Sequence, residues 1–180
     1  MKKSPRCLSS FILVCSAVMF FFLPYIAGEQ GSAAANQDDR ASDFTLKDLD
    51  GRNVRFSDYK GKTILLYFMA TWCPECRRTI PRLKDIYSLY KEKGLVLLII
   101  DVMESKEKAT AFSRKYSLPF SILLDEDGKV CRSYGVGSVP VRALIDSNGR
   151  IICWNCRSFD SLLAKQFEMN TKQPGTFPAR

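Results

Sequence analysis

The stretch Thr63–Tyr90 constrains the fold more than any other, because it joins a buried strand to a helix through two cysteines. Ile64–Met69 is an almost uninterrupted apolar run, which is typical of a strand covered on both faces in the middle of a sheet. After the letters WCPEC at Trp72–Cys76, apolar residues recur every three or four positions and predict a helix. They are Ile80, Leu83, Tyr87 and Tyr90. The two cysteines therefore lie where a strand becomes a helix.

This position gives the cysteine pair its chemistry. A sulfur at a helix N-terminus faces unpaired backbone N–H groups and the positive end of the helix dipole, and both favour the thiolate. Cys73 is therefore the predicted nucleophile, with an exposed sulfur. Cys76 lies one turn into the helix, where it can attack a mixed disulfide and release the partner as a thiol.

Two alternatives for this pair are a passive disulfide and half of a metal site. A disulfide around a two-residue loop removes little entropy from the unfolded chain and so stabilises the fold poorly. A redox function therefore explains the pair better than a structural disulfide. The chain contains no histidine, which excludes Cys–His hydrolysis and histidine-ligated zinc. No metal or organic cofactor is expected.

The motif and its surroundings resemble a known family. A buried strand followed by Trp72–Cys76, with Pro81 in the helix and Val139-Pro140 before a later strand, resembles the thioredoxin-fold thiol–disulfide oxidoreductases. The stretch Asp43–Phe167 is similar to their extracytoplasmic TlpA/ResA-like branch. The resemblance implies an α/β, thioredoxin-like fold, with a central mixed β-sheet flanked by helices and an N-terminal β-hairpin extension.

The resemblance also implies how a substrate is held. In the family the proline at the position of Pro140 is cis and lies against the cysteine pair. The backbone of the preceding residue, here Val139, pairs with the substrate as an added strand. Trp72, Pro74 and Glu75 are the other predicted substrate contacts.

Glu104 is the third predicted catalytic residue. It matches the glutamate that TlpA/ResA-like proteins place near the resolving cysteine, where a carboxyl group can take the proton from Cys76. Tyr67 stands where cytoplasmic thioredoxins carry a buried aspartate. The proton route through that aspartate is therefore absent here, which makes Glu104 more important as the predicted proton acceptor. The alternative is a carboxylate favoured by the dipole of the next helix.

Glu75 departs from the family pattern, because relatives usually carry proline just before the second cysteine. A carboxylate about 6 Å from a sulfur disfavours the thiolate by roughly 0.7 kcal/mol at the dielectric constant of water and about 3 kcal/mol at an effective value of 20. The helix terminus supplies about 0.3–2 kcal/mol in the other direction. We expect Glu75 to keep Cys73 from becoming a strongly acidic thiol, unless it is only a solvated carboxylate.

The N-terminal residues 1–35 have the pattern of an export segment. Basic residues precede the apolar stretch Leu8–Phe22, and Ala33–Ala35 offers the small residues that a signal peptidase needs. An uncleaved membrane anchor is the alternative, since Phe11–Ala27 is close to the minimum of roughly 17 residues for spanning a bilayer. Either outcome places the domain outside the cytoplasm.

The remainder divides into three parts. Residues 36–42 are predicted to be a polar linker, 43–169 the thioredoxin-like domain and 170–180 a flexible tail. Within the domain, alternation over Asp43–Phe56 predicts the N-terminal hairpin, and Asn148-Gly149 predicts a second one. The net charge of +8 comes from scattered basic residues, which gives no support for nucleic-acid binding.

Three further cysteines follow the active-site helix. Cys153 and Cys156 repeat the C-x-x-C spacing after an edge-like strand, and Cys131 stands alone. We expect a structural bridge among the three that leaves one over, with open connectivity. By family analogy Cys156 borders the active surface, so a third exchanging thiol is an alternative. Another is a zinc site that joins Cys153 and Cys156 to Cys73 and Cys76.

The resulting prediction is dithiol–disulfide exchange on protein substrates. The resemblance implies a reductase of the cell envelope, for example in cytochrome c maturation, with electrons from a membrane thiol carrier. An oxidase or isomerase on the same fold and a non-catalytic metal- or protein-binding module are the alternatives. Peroxide reduction is disfavoured, because its Pro-x-x-x-Thr-x-x-Cys pattern would need proline and threonine at Leu66 and Ala70.

Overall fold

The computed structural model describes residues 39–156 and 159–172 of the chain. Its strands are β1 (Thr45–Asp48), β2 (Asn53–Arg55), β3 (Thr63–Met69), β4 (Leu95–Val102), β5 (Ile122–Asp125), β6 (Val141–Ile145) and β7 (Ile151–Trp154). Its α-helices are α1 (Pro74–Tyr90), α2 (Lys106–Tyr116), α3 (Lys129–Ser133) and α4 (Phe159–Lys172). Short 3-10 helices cover Phe56–Tyr59 and Lys91–Lys93.

The strands form one mixed sheet in the order β2-β1-β5-β4-β3-β6-β7. The neighbours β3 and β4, and β4 and β5, are parallel, and the other pairs are antiparallel. A helix connects each parallel pair, as parallel strands require. The predicted α/β architecture with a central mixed sheet is confirmed.

Strand β3 lies in the middle of the sheet and is buried at every residue. Because side chains alternate along a strand, its two faces enter different cores. Tyr67 and Met69 join the core that contains residues of α1, α2 and α4. Leu66 and Phe68 join the opposite core, with residues of α3 and residues that flank β1 and β2. The uninterrupted apolar run of β3 is explained by this double coverage.

Helix α1 begins at Pro74, directly after Cys73, which occupies the N-cap position. Proline is suited to the first position of a helix, because its missing N–H would have no partner there. The buried residues of α1 are Cys76, Ile80, Leu83 and Ile86. The predicted stripe is therefore correct at its start, whereas Tyr87 and Tyr90 are only partly buried.

Both predicted hairpins are present as antiparallel pairs. Strands β1 and β2 pair through a turn at Gly51, and β6 and β7 pair through a turn at Gly149. Both glycines have φ values near +80°, 84° and 81°, a region that other residues rarely adopt. That the first hairpin is an addition to the family fold remains a prediction.

The predicted export segment, the first residues of the linker and residues 173–180 of the tail lie outside the described residues. The last linker residues are described, and the Ala41 N–H donates to the Gly149 carbonyl at 2.9 Å. Within residues 39–156 and 159–172, none of the helices combines the length and the apolar character needed to cross a bilayer.

Candidate active site

The first cysteine pair lies at the junction of β3 and α1, as predicted, and both cysteines are free thiols. The Cys73 N–H donates to the Ala70 carbonyl at 3.1 Å, which closes the turn after β3. The Cys76 N–H donates to Cys73 Sγ at 3.3 Å. Cys73 therefore caps the helix with its sulfur, and one of the unpaired N–H groups of the first turn is directed at the predicted nucleophile.

The two cysteines differ little in exposure but strongly in surroundings. Cys73 keeps 5% of its surface, less than the sequence led us to expect, and Cys76 keeps none. Burial raises the pKa of Cys76 to about 12, and its hydrogen bond with the Cys73 side chain adds to the shift. The Tyr67 hydroxyl donates to the Cys76 carbonyl at 3.4 Å from below the helix. Cys76 is therefore a protonated thiol at neutral pH.

The loop before β6 lies against the nucleophile. The Val139–Pro140 peptide bond is cis, as the resemblance implies. The Cys73 thiol donates to the Val139 carbonyl at 3.7 Å, and both loop residues are half-buried. A polypeptide that pairs with the Val139 backbone would therefore pass directly over Cys73.

The other predicted substrate contacts surround the pair on the outer surface. Trp72 is 66% exposed, which is unusual for so large an apolar side chain, and Pro74 is also exposed. Glu75 is exposed as well, and its carboxylate forms an ion pair with the Arg78 guanidinium, whose Nε lies 3.0 Å away. The positive charge of Arg78 therefore offsets part of the electrostatic effect that the Glu75 carboxylate was expected to have on the Cys73 thiolate.

Glu104 is buried just after β4, beside the turn that carries Cys73. Its carboxylate accepts hydrogen bonds from the Thr71 backbone N–H and, at 2.8 Å, from the Thr71 hydroxyl. Among the described residues, its hydrogen bonds thus reach the active-site turn and not Cys76. This geometry makes Glu104 an anchor for the turn, whereas its proposed proton transfer remains a prediction.

Asp101 is a site residue that sequence reasoning missed. It is fully buried, and neither of its carboxyl oxygens has a hydrogen-bond partner among the described residues. Burial raises its pKa to about 8, and the nearby Glu104 carboxylate adds to the shift. Asp101 pairs in register with Met69 and so belongs to the face of the sheet that packs under α1. A single carboxylate inside the apolar run of β4 was the available signal.

The remaining three cysteines lie on different faces of the sheet, and this separation determines which of them are paired. Cys153 and Cys156 form a disulfide, and Cys131 is the thiol left over. Cys153 and Cys156 pack in the core under α1, whereas Cys131 lies in the opposite core. The bridge that we expected is therefore present, and the four-cysteine zinc alternative is wrong. No cluster of three or more metal-ligating side chains occurs in the described part of the chain.

Known proteins share this sequence pattern and this fold. The AhpC/TSA family profile matches residues 38–153. The thiol-disulfide oxidoreductase ResA of Geobacillus thermodenitrificans is 40% identical over 111 residues, which cover 62% of this chain and 64% of that protein. The ResA of Bacillus thuringiensis subsp. konkukian is 32% identical over 142 residues, which cover 78% of this chain and 80% of that protein.

A solved structure supports the same relationship. The thioredoxin domain of a thiol-disulfide oxidoreductase from Bacteroides vulgatus superimposes with a TM-score of 0.62 at 26% identity, covering 74% of this chain and 94% of that one. The match to the Geobacillus relative spans only 64% of its length, so the activity of the whole relative does not transfer automatically. The profile, the relatives and the fold agree that this chain belongs to the AhpC/TSA family, as a thioredoxin-like member of the ResA-like branch.

Proposed function

We propose that this protein is a thiol–disulfide oxidoreductase that reduces disulfides of protein substrates outside the cytoplasm. The observation that carries the proposal is the placement of two free thiols at one helix N-terminus. Cys73 Sγ accepts the Cys76 N–H at 3.3 Å, and Cys76 lies one turn behind it. This is the arrangement that a reversible exchange between a dithiol and a disulfide requires.

The first step belongs to Cys73. Its thiolate attacks one sulfur of the target disulfide, the target S–S bond breaks, and the electron pair leaves on the second target sulfur. The Cys76 N–H and the helix dipole stabilise negative charge at Cys73 Sγ before the attack. A mixed disulfide between Cys73 and the target results.

The second step belongs to Cys76. Because burial raises the pKa of Cys76 to about 12, this thiol must lose its proton as it attacks Cys73. We assign Glu104 and the neighbouring Asp101 to an acidic pair, one member of which accepts the proton of Cys76. The hydrogen bonds from Thr71 keep Glu104 beside the turn that carries Cys73. The target leaves as a dithiol, and Cys73 and Cys76 remain as a disulfide.

The surface around Cys73 suits a polypeptide substrate. The Val139 backbone lies within 3.7 Å of the sulfur and can accept an extended segment as an added strand. Trp72 offers a large apolar side chain beside it, and Pro74 and Glu75 border the same edge. We assign these four residues and Pro140 to substrate binding.

The proposed setting is the cell envelope, with reduced thiols as the product. The export pattern in residues 1–35 supports the location, and the names of the ResA relatives support the reaction class. The proposed electron donor is a membrane thiol carrier, and thiols that bind haem in apocytochrome c are one substrate class that the resemblance implies. In the proposed setting the N-terminal segment tethers the domain to the membrane if it is retained, and releases it if it is cleaved.

The exchange reaction is tested with cysteine variants of the full chain. We expect Cys73→Ser to abolish reduction of a protein disulfide and Cys76→Ser to accumulate a mixed disulfide with the target. Cys131→Ser is the matched control and should keep wild-type activity, since Cys131 lies on the other face of the sheet. Full activity without Cys73 would refute the proposal.

The direction of exchange is tested by the reduction potential of the Cys73–Cys76 pair. A value near that of thioredoxin, about −270 mV, supports a reductase, and a value near −120 mV supports the oxidase alternative. A Cys73 thiol that resists alkylation in the reduced protein would instead point to the non-catalytic module.

A further inference from the structure

A second cysteine pair lies near the candidate active site and has no role in the proposed function. Cys153 is in β7, Cys156 follows the strand, and a disulfide joins them. Both residues pack into the core that also contains Cys73 and Cys76. The disulfide is therefore on the same face of the sheet as the first pair.

The two pairs also share one end of the sheet. Phe68, near the end of β3 that leads to Cys73, pairs with Val141 at the start of β6. The next residue of β6, Arg142, exchanges hydrogen bonds with Asn155, which lies between the two bridged cysteines. The backbone that continues from Val139 thus leads from the first pair to the second. A polypeptide that binds at this end of the sheet can therefore reach both cysteine pairs.

The loop between the bridged cysteines is held by contacts that do not need the disulfide. The Asn155 N–H donates to the Arg142 carbonyl at 2.8 Å, and the Arg142 N–H donates to Asn155 Oδ1 at 2.9 Å. Trp154 stacks on Tyr134, with ring centroids 6.4 Å apart and planes 10° from parallel. Opening the S–S bond should therefore leave the two sulfurs near each other.

A structural role explains this bridge poorly. The bridged residues are only three apart in sequence, so the bond removes little entropy from the unfolded chain. The loop is also ordered already by Asn155, which holds a left-handed conformation with φ of 48° through its two hydrogen bonds. A bond that adds little to the fold can open and close without unfolding it.

The two sulfurs differ in their access to solvent. Cys153 keeps 4% of its surface, whereas Cys156 is only half-buried. An incoming thiolate should therefore attack Cys156, with Cys153 as the leaving group.

We propose that Cys153–Cys156 is a second redox-active disulfide, which takes two electrons from a protein dithiol docked at this end of the sheet. The donor thiolate attacks Cys156 Sγ, the Cys153–Cys156 bond breaks, and Cys153 leaves with the electron pair and takes up a proton. The second donor thiolate then attacks the mixed disulfide, and Cys156 leaves and is protonated. The donor departs as a disulfide, and this chain holds two thiols.

The first test uses the full chain with Cys73→Ser and Cys76→Ser, so that its result is independent of the proposed function. The protein is equilibrated in buffers of reduced and oxidised glutathione, and thiols are counted by alkylation and peptide mass spectrometry. We expect reversible opening at a ratio that glutathione can reach, which structural disulfides resist. The melting temperature of the dithiol form should stay within about 5 °C of the oxidised form. Opening only in denaturant, or with loss of the fold, would overturn the proposal.

The second test compares Cys153→Ser with Cys156→Ser in the same background. Each variant leaves one thiol of the pair, and oxidised glutathione is the probe. We expect the Cys156 thiol to form the mixed disulfide at least about tenfold faster than the Cys153 thiol, because only Cys156 is accessible. Equal rates, or faster reaction of Cys153, would contradict the assignment of Cys156 as the attacked sulfur.

Discussion

The Thr71 hydroxyl donates a hydrogen bond to Glu104 Oε1 at 2.8 Å, and the Thr71 backbone N–H donates to the other oxygen of the same carboxylate. These two bonds join the end of β4 to the turn that carries Trp72 and Cys73. Because Glu104 is buried, the bonds act where water does not compete with them. The position of the nucleophile thus depends on a carboxylate 31 residues away from it in sequence.

The first prediction concerns this anchor. Thr71→Val keeps the shape of the side chain but removes one of the two donors to Glu104. Hydrogen bonds to charged groups contribute about 1.5–3 kcal/mol, so we expect a loss of that size in the free energy of unfolding, measured with urea. Thr71→Ser keeps the hydroxyl and is the matched control. If both variants lose the same stability, the hydroxyl bond does not anchor the turn.

The second prediction concerns the pH dependence of stability. The pKa of Asp101 is raised from 3.8 to about 8 by burial and by Glu104. Between these values the folded state binds a proton that the unfolded state does not, so stability falls as pH rises, by up to about 1.4 kcal/mol per pH unit. Asp101→Asn cannot titrate, and we expect a flatter profile in urea unfolding from about pH 4 to pH 8.

Asp101→Ala separates this charge effect from packing. It leaves a cavity and should be less stable than Asp101→Asn at every pH, yet it should share the flat profile. A wild-type profile that is already flat over this range would show that Asp101 is ionised in the folded protein.

The third prediction concerns the resolving cysteine. Because burial raises the pKa of Cys76 to about 12, its thiolate fraction should increase about tenfold per pH unit through the neutral and mildly alkaline range. In the Cys73→Ser variant, alkylation of Cys76 should follow this increase without a plateau below about pH 10. The same variant in urea is the control and should level off near the ordinary value of 9.0. A plateau near 9 in the folded protein would mean that burial does not protect the proton.

Most of the fold could be predicted because local patterns and tertiary packing agree. The apolar run of β3 and the helical spacing in α1 identified the central strand, the active-site helix and the cysteine pair between them. Glu104 was identified by family resemblance, but its contact with Thr71 was not. That contact depends on the parallel register of β3 and β4, in which Met69 lies opposite Asp101. No local pattern encodes such a register.

Asp101 was missed, and the pairing of the later cysteines was left open, for the same reason. In sequence, Asp101 is one carboxylate at the end of an apolar strand, and only the packing of the sheet under α1 shows that it is fully buried. The three cysteines allowed several bridges by spacing alone. The sheet decides between them, because it separates Cys131 from Cys153 and Cys156.

The fourth prediction concerns the charges beside the nucleophile. Glu75 was expected to disfavour the Cys73 thiolate, but Arg78 binds its carboxylate and offsets the charge. Arg78→Gln should expose that charge and slow alkylation of Cys73 about threefold, which corresponds to roughly 0.7 kcal/mol at the dielectric constant of water. The rate is measured with iodoacetamide across about pH 5 to 9, in the range where the thiolate fraction limits it.

The double variant Glu75→Gln/Arg78→Gln isolates the carboxylate as the cause. Without either charge, the rate should return to within about a factor of two of wild type, because the helix terminus alone then acts on Cys73. If the double variant remains as slow as Arg78→Gln, the guanidinium acts on Cys73 directly and Glu75 has no influence on the nucleophile. In that case the presence of Glu75 in place of the usual proline would leave the thiolate unaffected, and any bias toward a reductant would have to come from the burial of the pair, which disfavours the thiolate.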